Sequence, residues 1–156
     1  MAGPELVPAQ EEHRTALRRL LQLYLHDMSP FVGADVDDHG EYGYRYLDHY
    51  WTAPDRHPFL IRVDGSWAGF ALVRACPHWD MAEFFVMRKY RRRGIGRAAA
   101  RLVFAVFPGP WEVRQLEANE EAKGFWRAAI PYPFEEEATD EGVKAALPGP
   151  PGAVIC

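Results

Sequence analysis

The sequence predicts an α+β fold, and three observations carry that expectation. Over residues 11–28 the apolar side chains Leu17, Leu20, Leu21, Tyr24 and Met28 recur at the three/four spacing of an amphipathic helix. Two β-rich runs, residues 59–63 and 67–73, flank Asp64-Gly65-Ser66, and an Asp-Gly turn between apolar runs signals an antiparallel hairpin. A third run, residues 81–87 (MAEFFVM), passes through a cationic segment into Gly94-Ile95-Gly96. From there Ala98, Ala99, Leu102, Val103 and Val106 trace one helical face, ended by Pro108-Gly109-Pro110.

The other elements follow in chain order. Residues 29–40 hold Pro30, Gly33, Gly40, Asp35, Asp37 and Asp38, a loop composition, after which Tyr44, Leu47 and Trp51 predict a short aromatic helix. Residues 111–118 alternate as a strand with mixed faces. Asn119 is suited to cap a helix over residues 120–130, whose apolar side is Ala122, Phe125, Trp126 and Ala129. Residues 143–147 and 153–156 read as short strands around the turn at 148–152. With 156 residues, 48% hydrophobic and 13% aromatic, the chain suits one buried core, and a single domain over residues 1–156 is expected.

Composition narrows the function. No apolar run approaches the roughly 20 residues that span a bilayer, and the first ten residues lack the cationic start of a signal peptide. A soluble, cytoplasmic protein is therefore expected, with no membrane partner. Cys76 and Cys156 are 80 positions apart, and the six histidines never pair at helical spacing, so neither a disulfide framework nor a metal site is expected. The net charge is −4, yet Arg88, Lys89, Arg91, Arg92, Arg93, Arg97 and Arg101 crowd one acid-free segment. One basic focus on an acidic chain points to a local anionic ligand and away from nucleic acid, which favours a broadly basic face.

The turn at Gly94 and Gly96 is the place for that ligand. Without Cβ atoms the backbone can approach an anion closely, and the free N–H groups and dipole of the following helix attract it. A P-loop is excluded, because no Gly-x-x-x-x-Gly-Lys-Ser/Thr occurs. Gly94-Ile95-Gly96-Arg97-Ala98-Ala99 formally meets a dinucleotide fingerprint, with Glu112 beyond it, but six mostly cationic residues separate strand from glycine and a hairpin precedes the strand. The plain alternative is a tight turn beside solvated arginines.

Arg91-Arg92-Arg93-Gly94-Ile95-Gly96, preceded by the strand Glu83-Phe84-Phe85-Val86-Met87, resembles the Arg/Gln-x-x-Gly-x-Gly/Ala signature of the GNAT N-acetyltransferases. Asn119-x-x-Ala122-x-x-Phe125-Trp126 is similar to the family's Asn-x-x-Ala-x-x-Phe-Tyr helix, and the looser likeness runs from Leu17 through Ile130. The resemblance implies a mixed, mostly antiparallel central sheet flanked by helices, acetyl-CoA as acetyl donor, and a primary amine acceptor attacking the thioester directly. It implies that the backbone of Phe85, Val86 and Met87 holds pantetheine, that Arg91, Arg92, Arg93, Gly94, Ile95, Gly96 and Arg97 wrap the pyrophosphate, and that Asn119 and Phe125 flank the cofactor arm.

An attacking amine must lose a proton. Glu83 is the candidate base, because an acid within MAEFFVM either faces solvent or lines the cleft. Trp126 stands where many family members have a tyrosine that protonates the leaving thiolate, and an indole N–H does not ionise usefully; Tyr132 is the weak candidate for that acid. Asp35, Asp37, Asp38, Glu41 and Asp48, interleaved with tyrosines, suit a cationic small-molecule amine; the alternative is a solvated acidic loop over core tyrosines. Two other functions stay open: a non-catalytic acyl-CoA-binding regulatory module, made conceivable by Trp126, and a dinucleotide-dependent oxidoreductase. A homodimer is also left open.

Overall fold

The structure, a computed structural model, describes residues 2–75 and 77–154. Seven strands form one sheet: β1 (Glu5–Pro8), β2 (Arg56–Val63), β3 (Ser66–Arg74), β4 (Trp79–Val86), β5 (Trp111–Leu116), β6 (Glu135–Ala138) and β7 (Gly142–Leu147). Their order across the sheet is β1-β2-β3-β4-β5-β7-β6, antiparallel at every junction except β4–β5. Three helices cover it: α1 (Arg14–Val32), α2 (Ile95–Val106) and α3 (Glu120–Ala129).

The sheet is buried on both faces, and residues 68–73 of the central strand β3 are all buried. Beneath α1, Leu17 and Leu21 meet Leu60, Phe70, Leu72 and Phe85. On the opposite face Ala100, Val103 and Phe104 of α2 and Trp126 and Ala129 of α3 meet Phe59, Ala71, Val73, Met81 and Val113. Period-2 alternation sends successive strand residues to these two cores.

Five elements differ from expectation. The first helix continues through Pro30 to Val32, ending at Gly33 in the left-handed conformation. Proline has no N–H for the carbonyl of His26, and the hydroxyl of Ser29 donates to that oxygen at 2.7 Å instead, so the last turn persists. The aromatic segment is a 3₁₀ turn, Leu47–Trp51. Strands β1 and β6 form the two sheet edges and were not expected. Of the expected strand at 153–156, residues 153 and 154 are not in a strand, and residues 155 and 156 lie outside the described residues.

One junction shapes the site. Strands β4 and β5 pair only as Trp79↔Trp111 and Asp80↔Glu112, and beyond Asp80 they diverge. Within β4 the register against β3 shifts, Leu72 pairing with Glu83 and Val73 with Met81, which leaves Ala82 as the extra residue of a bulge. The bulge puts Asp80 and Glu83 on the α1 face together with Phe85.

Candidate active site

The divergence of β4 from β5 opens a cavity of about 1110 Å³. Its walls are β4 from Met81 to Val86, β5 from Arg114 to Leu116, the start of α2, the inner side of α3 and the C-terminal half of α1.

At one end lies the cradle. Gly94 caps α2 at φ 77°, and a Cβ there would project into open space; one at Gly96 would come 2.9 Å from Cε1 of Phe125. No side chain caps the helix, and its first bond runs from the Ala98 N–H to the Gly94 carbonyl. The N–H groups of Ile95, Gly96 and Arg97 are thus left for a ligand, at the positive end of a 12-residue helix. Arg92 holds φ 61° in the approach, and Arg92 and Arg97 line the cavity with exposed side chains. Further along, Nε2 of Gln115 is buried without a partner on the cavity wall. An unsatisfied amide, three free N–H groups and two exposed guanidiniums fit a ligand with a pyrophosphate and an amide-rich arm.

At the other end stands Glu83. Burial pushes its carboxyl up; hydrogen bonding from Tyr24 opposes this, Asp80 adds to the rise, and Tyr44 also opposes it, with the result at about 7. Tyr24 and Tyr44 have raised pKa values of their own, mainly through burial and secondarily through the Glu83 charge. Tyr50 completes the cluster, with its hydroxyl buried and unpartnered and its ring under the Arg56 guanidinium.

The expected site residues divide into groups. Glu83, Phe85, Val86, Arg91, Arg92, Gly94, Gly96, Arg97, Asn119 and Phe125 all line the cavity. Four others are placed elsewhere. The Met87 N–H donates to the Ala68 carbonyl and its own carbonyl accepts from Tyr90, so its backbone is spent within the fold. Ile95 is buried among Ile61, Val86 and Ala99, leaving only its N–H toward the cradle. Arg93 is exposed beside the cavity, not on its wall. Tyr132 packs edge-on toward Phe104 and is not on the cavity wall.

Arg91 donates through Nε to the Val86 carbonyl at 2.7 Å and through Nη2 to Asp27 of α1 at 2.6 Å, so it ties strand, loop and helix together as well as facing the cavity. The acidic stretch is not on the cavity wall: Asp37 accepts from the N–H groups of His39 and Glu41, Glu41 pairs with Arg18, and Asp48 with Arg14. Glu41 and Asp48 thereby tie this stretch to α1.

Tyr24, Gln115 and Asp27 were missed. Tyr24 sits on the apolar face of a helix, where it reads as core; the available signal was that a buried phenol needs a partner for its hydroxyl. Among the described residues no three His, Cys, Asp or Glu side chains gather as a metal site requires, and no helix is long and apolar enough to cross a membrane.

Residues 17–129 match the model of the Acetyltransferase (GNAT) family. No curated relative matches the sequence. Among solved structures, an acetyltransferase from Thermus thermophilus superposes with a TM-score of 0.72 at 16% identity, covering 94% of this chain and 96% of that one. The ribosomal-protein-S18-alanine N-acetyltransferase of Escherichia coli gives 0.65 at 14% identity, with 96% of each chain covered. A Thermoplasma acidophilum PaiA N-acetyltransferase in complex with coenzyme A gives 0.66 at 10% identity, covering 95% of this chain and 99% of that one. At these identities the likeness concerns the fold.

Proposed function

The chain belongs to the GNAT acetyltransferase family, and from that premise we propose that it is an N-acetyltransferase that uses acetyl-CoA and a primary amine, with Glu83 as the base. One observation carries the reading: a single cavity joins the free N–H groups of α2 to a carboxyl held near neutrality. Acetyl-CoA bound there supplies a thioester carbonyl open to direct attack by the amine.

The residues of the chain do the rest. The N–H groups at Gly96 and Arg97, with the Arg92 and Arg97 side chains, hold the pyrophosphate through charge-assisted bonds. Val86 presents its backbone N–H on the open side of β4 to orient the arm, its carbonyl being held by Arg91 and Phe85 being paired with Phe70 of β3, and the amide of Gln115 faces the arm from β5. Glu83 takes the proton of the amine; a carboxyl poised at about 7 is half ionised at neutral pH and basic enough for the task. Positioning of the two reactants contributes the larger part of the rate.

We read the acceptor as a small-molecule amine, because Tyr24, Tyr44 and Tyr50 crowd the approach to Glu83 from the α1 side. The experiment is thiol release from acetyl-CoA with a polyamine, a lysine-containing peptide and a peptide with a free N-terminal alanine, beside thermal shifts with acetyl-CoA and NADH. Turnover with the polyamine supports the whole reading. Turnover with a peptide alone overturns the acceptor but keeps the transferase. Stabilisation by acetyl-CoA without thiol release from any amine makes the protein a binding module.

A further inference from the structure

Resting on the reading of Glu83 as base, we propose that Tyr24 is the acid of the same reaction, delivering its hydroxyl proton to the departing thiol sulfur and recovering it from Glu83. Trp126 lines the cavity, with an N–H that does not ionise near neutral pH, and Tyr132 is not on its wall. Arginines on the wall keep their protons, and the Thr139 hydroxyl accepts from Gly142 at the far side. Tyr24 is the one phenol on the wall among the described residues.

Its placement is fixed by packing. The ring stands edge-on to Phe70 at 5.7 Å and to Phe85 at 5.9 Å, which holds Tyr24 on the cavity wall that Glu83 also lines. The groups facing Glu83 are Tyr24 from α1, Tyr44 from the loop before the 3₁₀ turn, Tyr50 from that turn and Asp80 from its own strand, with Arg56 of β2 behind Tyr44 and Tyr50. Burial above all, and then the charge of Glu83, disfavours a tyrosinate, so Tyr24 does not shed its proton in advance. It releases it once Glu83 has been protonated by the amine.

The step balances. The amine nitrogen bonds to the acetyl carbon, and the carbon–sulfur bond breaks with its electron pair moving to sulfur. The nitrogen's proton passes to a Glu83 oxygen, the Tyr24 proton passes to sulfur, and the Glu83 proton refills Tyr24. Net transfer is one proton from nitrogen to sulfur, and both side chains return to their starting state.

The test uses the full chain. With acetyl-CoA and the panel amine that supports the fastest thiol release, Tyr24→Phe is expected to lose about 10²-fold in kcat on the alkaline plateau, with KM for acetyl-CoA changed less than about twofold. A hydroxyl that only tunes Glu83 instead shifts the ascending limb of the pH profile to higher pH and restores the full plateau, and that result overturns the proposal. A second readout needs no turnover. By calorimetry the wild type should bind CoA about fivefold more tightly than desulfo-CoA, the value of one hydrogen bond, and Tyr24→Phe should bind them equally. Equal binding by the wild type overturns the proposal whatever the variant does. Failure of the base reading looks different: Glu83→Gln keeps the wild-type rate while the CoA preference remains.

Discussion

Glu83 is costly to the folded state and useful for the same reason. Its carboxyl ionises near 7 when folded and near the ordinary 4.5 when unfolded. Between those values the folded chain holds a proton that the unfolded chain has released, so stability falls as pH rises through the window and is level above it. The shift corresponds to about 3 kcal/mol. Glu83→Gln is therefore expected to melt higher than the wild type at pH 8 and at the same temperature at pH 4, measured by calorimetric scans at both. A variant that melts lower at pH 8 would mean that the carboxylate is stabilised where it lies. Activity follows the opposite course. As Glu83 ionises, kcat/KM should climb to a plateau above about pH 7, and Glu83→Gln should lose about 10²–10⁴-fold across the range. An acid inside an apolar strand advertised itself in the sequence. Tyr24 did not, because a tyrosine at helical spacing among leucines looks like packing until the facing strand is known.

Among the elements, α3 shows a side chain serving two ends. Asn119 Oδ1 accepts from the Ala122 N–H at 3.1 Å, capping the helix, while Nδ2 faces Met28 Sδ of α1 at 3.8 Å, a weak partner that a ligand amide can replace. Serine also caps well but has a shorter reach. Asn119→Ser should keep the melting temperature and weaken CoA binding about fivefold, the value of one lost hydrogen bond, whereas Asn119→Ala should also lose about 1 kcal/mol of stability. Equal CoA affinity in Asn119→Ser and the wild type, by calorimetry, would confine Asn119 to the cap. That cap, the Asp64-Gly65 hairpin and the strand–glycine–helix unit were legible because their determinants are local. Strand β6 (EEEA) is exposed throughout and has no apolar alternation, and β1 has four residues; each depends on a ladder to a neighbour that its own pattern does not announce. The continuation of α1 past Pro30 depends on a single serine hydroxyl. The bond from Arg91 to Asp27 spans 64 positions, and no local pattern announces it.

At the scale of the molecule, the sheet is two ladders, β1–β4 and β5–β7, joined by two residue pairs and by the contact of α2 with α3. The seam is anchored by indoles: Trp79 Nε1 donates to the Pro108 carbonyl at 2.8 Å and Trp111 Nε1 to the Phe107 carbonyl at 3.1 Å. Beyond the seam the facing edges of β4 and β5 share no pairs, so their polar backbone lines the cavity instead of completing the sheet. A ligand that bonds to both edges supplies what the sheet leaves unmade. CoA at 100 times its dissociation constant should then stabilise the chain by about 2.7 kcal/mol, or roughly 5–10 °C in melting temperature. Hydrogen exchange locates the effect. Amides at 82–86 of β4 and 113–116 of β5 should slow on binding, together with those opening α2, while β2–β3 amides keep their own rates under local-opening conditions. Gly94→Glu, which puts a carboxylate at the anion cradle, should abolish both responses without lowering the pairing of the seam. If instead CoA protects α1 and the 3₁₀ turn but neither edge of the divergence, the cofactor occupies the acceptor side, and the assignment of cradle and acceptor ends must be exchanged.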